Sequence, residues 1–340
     1  MNALKKKKLN GFMPYYLYNF VIHLMGVVLL IIASASNYHF WGLGLLAYSL
    51  GLRHAFDADH IAAIDNTVRK LVQQQKSSYG VGFYFSLGHS TVVLIMVTLV
   101  IASVKWAKIK MPFLEIIGGN FGSFISGSFL MIIATCNLIT LVTLYRSLKD
   151  PQDSDHKTEI ANDYLISGGF LARILKPLFR CINSSWKMYP IGFLFGLGFD
   201  TATEITLLAL SAGAAQSSTP LLGIISLPIL FTAGMNLMDT IDSVMMSKAY
   251  MWALNTPIKK TYYNLTVTTI SVIAAFSIGI IELNQAITGI FHIRGGISSW
   301  ISNADISDFG YDLVAIFIFV WIIAYVTRLV FTKKSESMTL

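Results

Sequence analysis

Long apolar runs separated by short connectors, many of them basic, dominate the chain from residue 16 to residue 332. A helix that crosses a bilayer needs roughly 20 mainly apolar residues. Runs of that length predict eight helical segments, at about 16–36, 40–66, 80–104, 117–145, 188–214, 220–248, 262–284 and 310–332. The first, third, fourth, seventh and eighth are apolar nearly throughout. The second, fifth and sixth carry charged residues inside the run, and the third carries a histidine.

Composition supports that pattern. Of the 340 residues 54% are hydrophobic and 13% charged, against about 25% charged in soluble domains. The expected fold class is therefore an all-α membrane protein forming one polytopic domain over residues 1–340. Its polar motifs lie within 40–104 and 188–248, and a cytoplasmic connector covers about 147–187. A net charge of +7 would suggest nucleic acid in a soluble protein. Here the basic residues flank apolar runs, so they report orientation, and no nucleic-acid partner is expected. With the amino terminus inside, 20 of the 25 Lys and Arg fall on the cytoplasmic side, including Lys5–Lys8, Arg69, Lys70 and Lys76. Both termini are then cytoplasmic. The stretch "MNALKKKKLNGFMPYY" lacks a small-residue cleavage site after it, so the first segment is expected to stay as an anchor. Cys136 and Cys181 fit no metal-motif spacing and read as structural. The 147–187 connector holds one histidine, His156, too few for a metal-storing loop, and His292 reads as a surface residue.

Charges inside a membrane are costly, about 2.5 to 3.5 kcal/mol each at a helix centre, and are kept where they pair or serve transport. Four segments keep them. The second contains "RHAFDADHIAAID", Arg53 to Asp65. On a continuous helix His54, Asp57 and His60 form one stripe, Asp59 points elsewhere, and Arg53 stands i,i+4 from Asp57 as a neutralising partner. The third contains "FSLGHSTVV", with His89 as a third imidazole and Gly88 permitting a close neighbour. The fifth contains "FGLGFDTATEI", with Asp200 and Glu204 at i,i+4 and Thr203 beside them. The sixth contains "GMNLMDTIDS", with Asp239 and Asp242 at i,i+3 and Asn236 and Ser243 on the same side. Either acidic pair alone also reads as a capped helix end. A Gly before each would suit a locally broken helix. Against three histidines and seven carboxylates only Arg53 supplies positive charge, so the balance calls for a metal ion, protons, or both in turn. Imidazoles favour a transition metal over Mg, Ca or Mn, and the absence of a nearby thiolate weakens Cu(I).

These residues carry a resemblance. The sequence resembles the nickel/cobalt transporter family, eight-helix uptake permeases. "RHAFDADHI" (Arg53–Ile61), "FSLGHSTVV" (Phe85–Val93), "LGFDTATE" (Leu197–Glu204) and "GMNLMDTID" (Gly234–Asp242) match that family's four motifs in order. The resemblance implies a multi-pass protein of the cell membrane that takes up Ni²⁺, Co²⁺ or both as substrate, with no ATPase subunit and no cofactor. It also implies that His54, Asp57, Asp59, His60, His89, Asp200, Thr201, Glu204, Asp239 and Asp242 matter for transport. Related exporters carry a His-rich loop that this chain lacks, which favours uptake. Asn19 and His23 rank below these as path-lining residues. Spacing favours Asp57 as the metal carboxylate, whereas the family's core motif favours Asp59. Two alternatives stand beside the secondary transporter: an intramembrane metalloenzyme, weakened by the absence of HExxH spacing, and a metal-selective channel. Segments 2–3 and 5–6 run in opposite directions and suggest an inverted repeat.

Overall fold

The computed structural model describes residues 11–36, 38–102, 104–149, 182–198, 201–216, 221–254, 259–293, 295–302, 304, 309–320 and 322. The described residues are helical and contain no strand. In chain order the helices are α1 (Met13–Ser36), α2 (Phe40–His54), α3 (Ala58–Gln73), α4 (Val81–Ala102), α5 (Val104–Lys149), α6 (Met188–Gly196), α7 (Ala202–Gln216), α8 (Leu221–Leu254), α9 (Lys259–Phe291), α10 (Gly296–Ser302) and α11 (Phe309–Val320). Five are long and apolar enough to cross a membrane, over Met13–Ala35, Val81–Ala102, Ile116–Val142, Leu221–Met251 and Leu265–Phe291. Most of the 147–187 connector and both termini lie outside the described residues.

The second and fifth expected segments are not single helices. Residues 40–66 divide into α2 and α3, with Ala55–Asp57 between them, and 188–214 divide into α6 and α7. The sixth, expected to break near Gly234, runs unbroken through α8. Pro228 lies inside α8 without ending it, and the Thr232 hydroxyl donates to the Pro228 carbonyl at 2.7 Å. Gly234 serves packing: a Cβ there would meet the Tyr48 carbonyl of α2.

That contact belongs to a set of four. A Cβ at Gly51 of α2 would overlap the Phe231 carbonyl of α8, and one at Gly234 of α8 would meet the Tyr48 carbonyl of α2. A Cβ at Gly192 of α6 would overlap the Phe85 carbonyl of α4, and one at Gly88 of α4 would overlap the Tyr189 carbonyl of α6. Each glycine follows its Tyr or Phe by three residues, in Tyr48–Gly51, Phe231–Gly234, Tyr189–Gly192 and Phe85–Gly88. Two broken helices thus pack on two long ones through the same Tyr-x-x-Gly against Phe-x-x-Gly contact. Backbones this close permit interhelical van der Waals packing where lipid supplies little hydrophobic drive.

α3 occupies the interior. Every residue from His60 to Val72 is buried, including Asp65, Asn66, Arg69 and Lys70. Arg69 and Lys70 are therefore not connector charges. A charged helix tolerates this place because its polar groups find partners on three neighbours. Asn66 accepts from Asn137 of α5 at 2.7 Å, and Arg69 reaches α8 and α9. α11 covers the α2–α3 break, with Tyr311 stacked on Phe56 at 4.9 Å between ring centroids.

Candidate metal site

The break after α2 begins with three turn-type bonds: Ala55 N–H to Gly51 O, Phe56 N–H to Arg53 O and Asp57 N–H to His54 O. Asp57 is then extended (φ −64°, ψ 142°), and Ile61 N–H to Asp57 O opens α3. Asp is a favoured residue at this position, and carboxylates complement the positive end of a helix. Asp59 Oδ1 accepts the His60 N–H at 2.9 Å. "FDADH" is thus a helix start placed inside a greasy run. "TATE" plays the same part before α7. Thr201 and Glu204 have capping-box spacing, Thr201 Oγ1 donates to Glu204 Oε2 at 3.1 Å, and Ile205 N–H bonds Thr201 O.

The two starts bring three imidazoles together. The ring centroids of His54 and His60 are 4.7 Å apart, those of His54 and His89 4.8 Å, and those of His60 and His89 4.9 Å. One nitrogen from each lies within 4.8 Å of the others, and all three side chains are buried. Asp57 does not cap α3 with its side chain; its Oδ2 meets His54 Nδ1 at 2.6 Å. With the proton on Nδ1 donated to Asp57, His54 Nε2 keeps its lone pair and faces His89 Nε2 at 3.0 Å. A carboxylate on the far nitrogen is how metal-ligating histidines are oriented. His89 Nε2 also lies 2.8 Å from Glu204 Oε1, and His60 Nδ1 lies 3.5 Å from Asp239 Oδ2. Phe85 packs edge-on to His60 at 4.8 Å, and Phe231 lies 5.5 Å from His54.

Buried polar atoms nearly always have hydrogen-bond partners. Here both nitrogens of His60, Nδ1 of His89 and both oxygens of Asp239 have none. Lone pairs and negative charge converging in a buried cluster form the donor set of a candidate cation site.

The structure sorts the sequence-predicted residues. His54, His60, His89, Asp57, Thr201, Glu204 and Asp239 stand together. Asp59 lies in the first turn of α3, where its Oδ1 accepts the His60 N–H. Asp242 stands one turn further along α8, buried, and neither of its oxygens has a hydrogen-bond partner among the described residues. Asp200 lies outside the described residues. The expected stripe of His54, Asp57 and His60 on one helix does not exist, because α2 ends at His54, Asp57 stands in the break as the N-cap of α3, and His60 lies in α3. Arg53 is exposed, and Asp57 pairs with His54 instead. Thr203 was missed as a site residue: its Oγ1 lies 3.1 Å from His54 Nδ1. The T-x-x-E spacing around it was the available signal. Asn19 donates to Thr240 at 3.0 Å and His23 bonds Tyr48 at 3.2 Å, so both tie α1 to neighbouring helices. Cys136 is buried and free; Cys181 lies outside the described residues, and His292 is exposed.

Fold and site together define a multi-pass membrane protein of the cell membrane with a buried histidine–carboxylate cluster. Residues 40–327 match the model of the high-affinity nickel-transport protein family, NicO, and the chain belongs to that family. It is 49% identical over 325 residues to the nickel transporter NixA of Staphylococcus aureus, covering 95% of this chain and 96% of that one. It is 46% identical over 330 residues to the high-affinity nickel-transport protein NixA of Helicobacter pylori J99, covering 95% and 98%. To the cobalt transport protein NhlF of Rhodococcus rhodochrous it is 35% identical over 311 residues, covering 88% and 87%. No solved structure matches it.

Proposed function

We propose that this protein is a secondary transporter that takes up Ni²⁺, Co²⁺ or both across the cell membrane. The observation that carries this reading is the buried triangle of His54, His60 and His89 with its unbonded nitrogens beside an unbonded Asp239. The ion exchanges water for these imidazoles. Glu204 and Asp239 supply charge, and Asp57 orients His54 from its far side. Of the two aspartates, the 2.6 Å contact with His54 Nδ1 supports Asp57 as the one that acts through His54. Thr201 stands at the start of α7, with its Oγ1 3.1 Å from Glu204 Oε2; Asp200 is proposed from the motif alone.

The chain is read as one polytopic domain of eight spans with both termini cytoplasmic, the broken helices α2–α3 and α6–α7 counting as one span each. The reciprocal Tyr/Gly and Phe/Gly contacts relate α2–α4 to α6–α8 and support an inverted repeat around the site. Such repeats give alternating access by rocking one half against the other. A divalent cation entering an inside-negative cell gains about 4.6 kcal/mol per 100 mV, twice the single-charge value, which suffices to drive uptake without an ATPase subunit.

The test is uptake into liposomes containing the purified protein, comparing Ni²⁺, Co²⁺, Zn²⁺ and Mn²⁺ under an imposed inside-negative potential. Ni²⁺ or Co²⁺ should accumulate above empty liposomes and saturate. Accumulation of none of the four would sink the reading, and flux that never saturates would favour a channel.

A further inference from the structure

The connector between the last two expected spans holds a helix, α10, and its surroundings are specific. On α9, at 100° per residue, the side chains sort into two faces. One faces α5: Glu282 accepts from Ser126 at 2.5 Å, and a Cβ at Gly279 or Gly289 would meet Gly127 or Asn120. The opposite face, within about 60°, carries Ile273, Ile280, Asn284, Ile287 and Phe291. Its four apolar members are all at least 42% exposed. That stripe is the lipid-facing side of the span Leu265–Phe291, and Asn284 stands within it.

An amide left bare among lipid is costly. α10 covers it. Beyond Phe291 the chain reverses through His292, Gly295 and Gly296, all at positive φ, and α10 runs back along α9. Asn284 Nδ2 donates to the Ser298 carbonyl at 2.7 Å and to Ser302 Oγ at 2.8 Å, and Asn284 Oδ1 accepts from Ser298 Oγ at 2.8 Å. Thr288 bonds Ser298 at 3.0 Å. Gln285 Nε2 donates to the carbonyls of Ser302 and Ala304 at 3.3 and 3.4 Å. Carbonyls at the end of a helix lack partners within it. In a surface loop water would serve them. Here a side-chain amide does, about 9 Å along the axis before α9 ends. Ile297 and Trp300, on the side of α10 away from Ser298 and Ser302, are each 78% exposed, and α10 holds no charged residue.

We propose that α10 is a re-entrant helix seated among the lipids of the leaflet where α9 ends, and that its Ile297–Trp300 face binds acyl chains near the headgroup boundary. The occupant is lipid because α10 lies on the exposed stripe of α9, on the side away from α5, and its outer face continues that apolar surface without charge. A tryptophan suits this level, with an apolar ring and one N–H. The fold-back also returns the chain to the depth of Gln285. α11 then starts beside the α2–α3 break, where a Cβ at Gly310 would overlap the Phe56 carbonyl. The proposal depends on membrane insertion and not on the identity of the transported ion.

Spin labels on single cysteines test this in liposomes, using full chains with Cys136 and Cys181 replaced by Ala. Collisions with oxygen, which partitions into lipid, are compared with collisions with chromium oxalate, which stays in water. L24C on the exposed face of α1 is the lipid reference, and K76C in an exposed turn is the aqueous one. The ratio of the two collision rates at I297C and W300C should lie within about twofold of that at L24C, as for a face buried at the headgroup–acyl boundary. A ratio like that at K76C would place α10 in water, and low rates with both reagents would place it under protein; either overturns the proposal. A second measurement needs no cysteine changes. The tryptophan emission that W300F loses relative to the wild type should shrink by about half or more in brominated phosphatidylcholine, given that boundary depth. A difference untouched by bromine would overturn the lipid contact even if the cysteine-free chain failed to fold.

Discussion

At the scale of single residues, the site depends on how each imidazole is held. His54 is fixed by Asp57 at 2.6 Å and by Thr203 at 3.1 Å, which leaves Nε2 for the ion. Replacing His54 by Ala should abolish saturable Ni²⁺ uptake, as measured in proteoliposomes. Replacing Asp57 by Asn keeps the shape but weakens the hold on the Nδ1 proton. Loss of such an orienting partner costs 10- to 100-fold in metal affinity. D57N should therefore raise the Ni²⁺ dissociation constant by about that factor in equilibrium binding, and an unchanged constant would remove Asp57 from its orienting role. Loading also requires neutral imidazoles. Ni²⁺ affinity should fall as the pH is lowered, because protons compete with the ion for the same nitrogen lone pairs, and binding titrations across pH 5.5–7.5 will read this. The residue types of the cluster were legible in the sequence, because charges this expensive in a membrane identify themselves. The partner of each was not. Asp57 and Asp59 are two positions apart and both acidic, and only the backbone path decides that one turns back to His54 while the other starts a helix.

At the scale of elements, the two broken helices do the positioning. Each break ends in a helix start that carries carboxylates, "FDADH" before α3 and "TATE" before α7. Hydropathy over 40–66 and 188–214 shows one apolar run each and hides both breaks, because buried connecting residues such as Ala55 are as apolar as helical ones. Capping-box spacing was visible at Thr201 and Glu204 and was outweighed by the length of the run. The close Gly contacts lock the half-helices to α4 and α8. Inserting a methyl where backbones touch forces a shift, and overpacking costs about 1–3 kcal/mol. G192A and G88A should each lower the thermal midpoint of the purified protein and its transport rate. G42A should leave both unchanged, because a Cβ at Gly42 meets nothing within 4 Å.

At the scale of the whole molecule, the long apolar helices lie around a polar interior built by α3. Exposed apolar side chains line α1, among them Leu17, Phe20, Leu24 and Ile31, as expected of surface that meets lipid. A divalent substrate crossing such a body senses the membrane potential. If the ion moves alone, raising the inside-negative potential from zero to 100 mV should increase its accumulation ratio at equilibrium by about three orders of magnitude, from about 4.6 kcal/mol. Proteoliposomes clamped with potassium and valinomycin measure this. A ratio indifferent to potential would mean that compensating charge leaves with each ion.

Hydropathy and the order of the four motifs were enough to identify a helical membrane protein and the family, and to single out the histidines and carboxylates proposed as its cation site. Those features follow from the cost of burying charge in a bilayer, and that cost depends on residue type and run length alone. The tertiary structure decided where the helices break, that α3 lies inside with Arg69 and Lys70 buried, and that Thr203 belongs with His54. It also brought Glu204 and Asp239 to the imidazoles. Those outcomes depend on which backbone passes within a hydrogen bond of which side chain, across separations of more than 100 residues. Periodicity along one chain does not encode that distance.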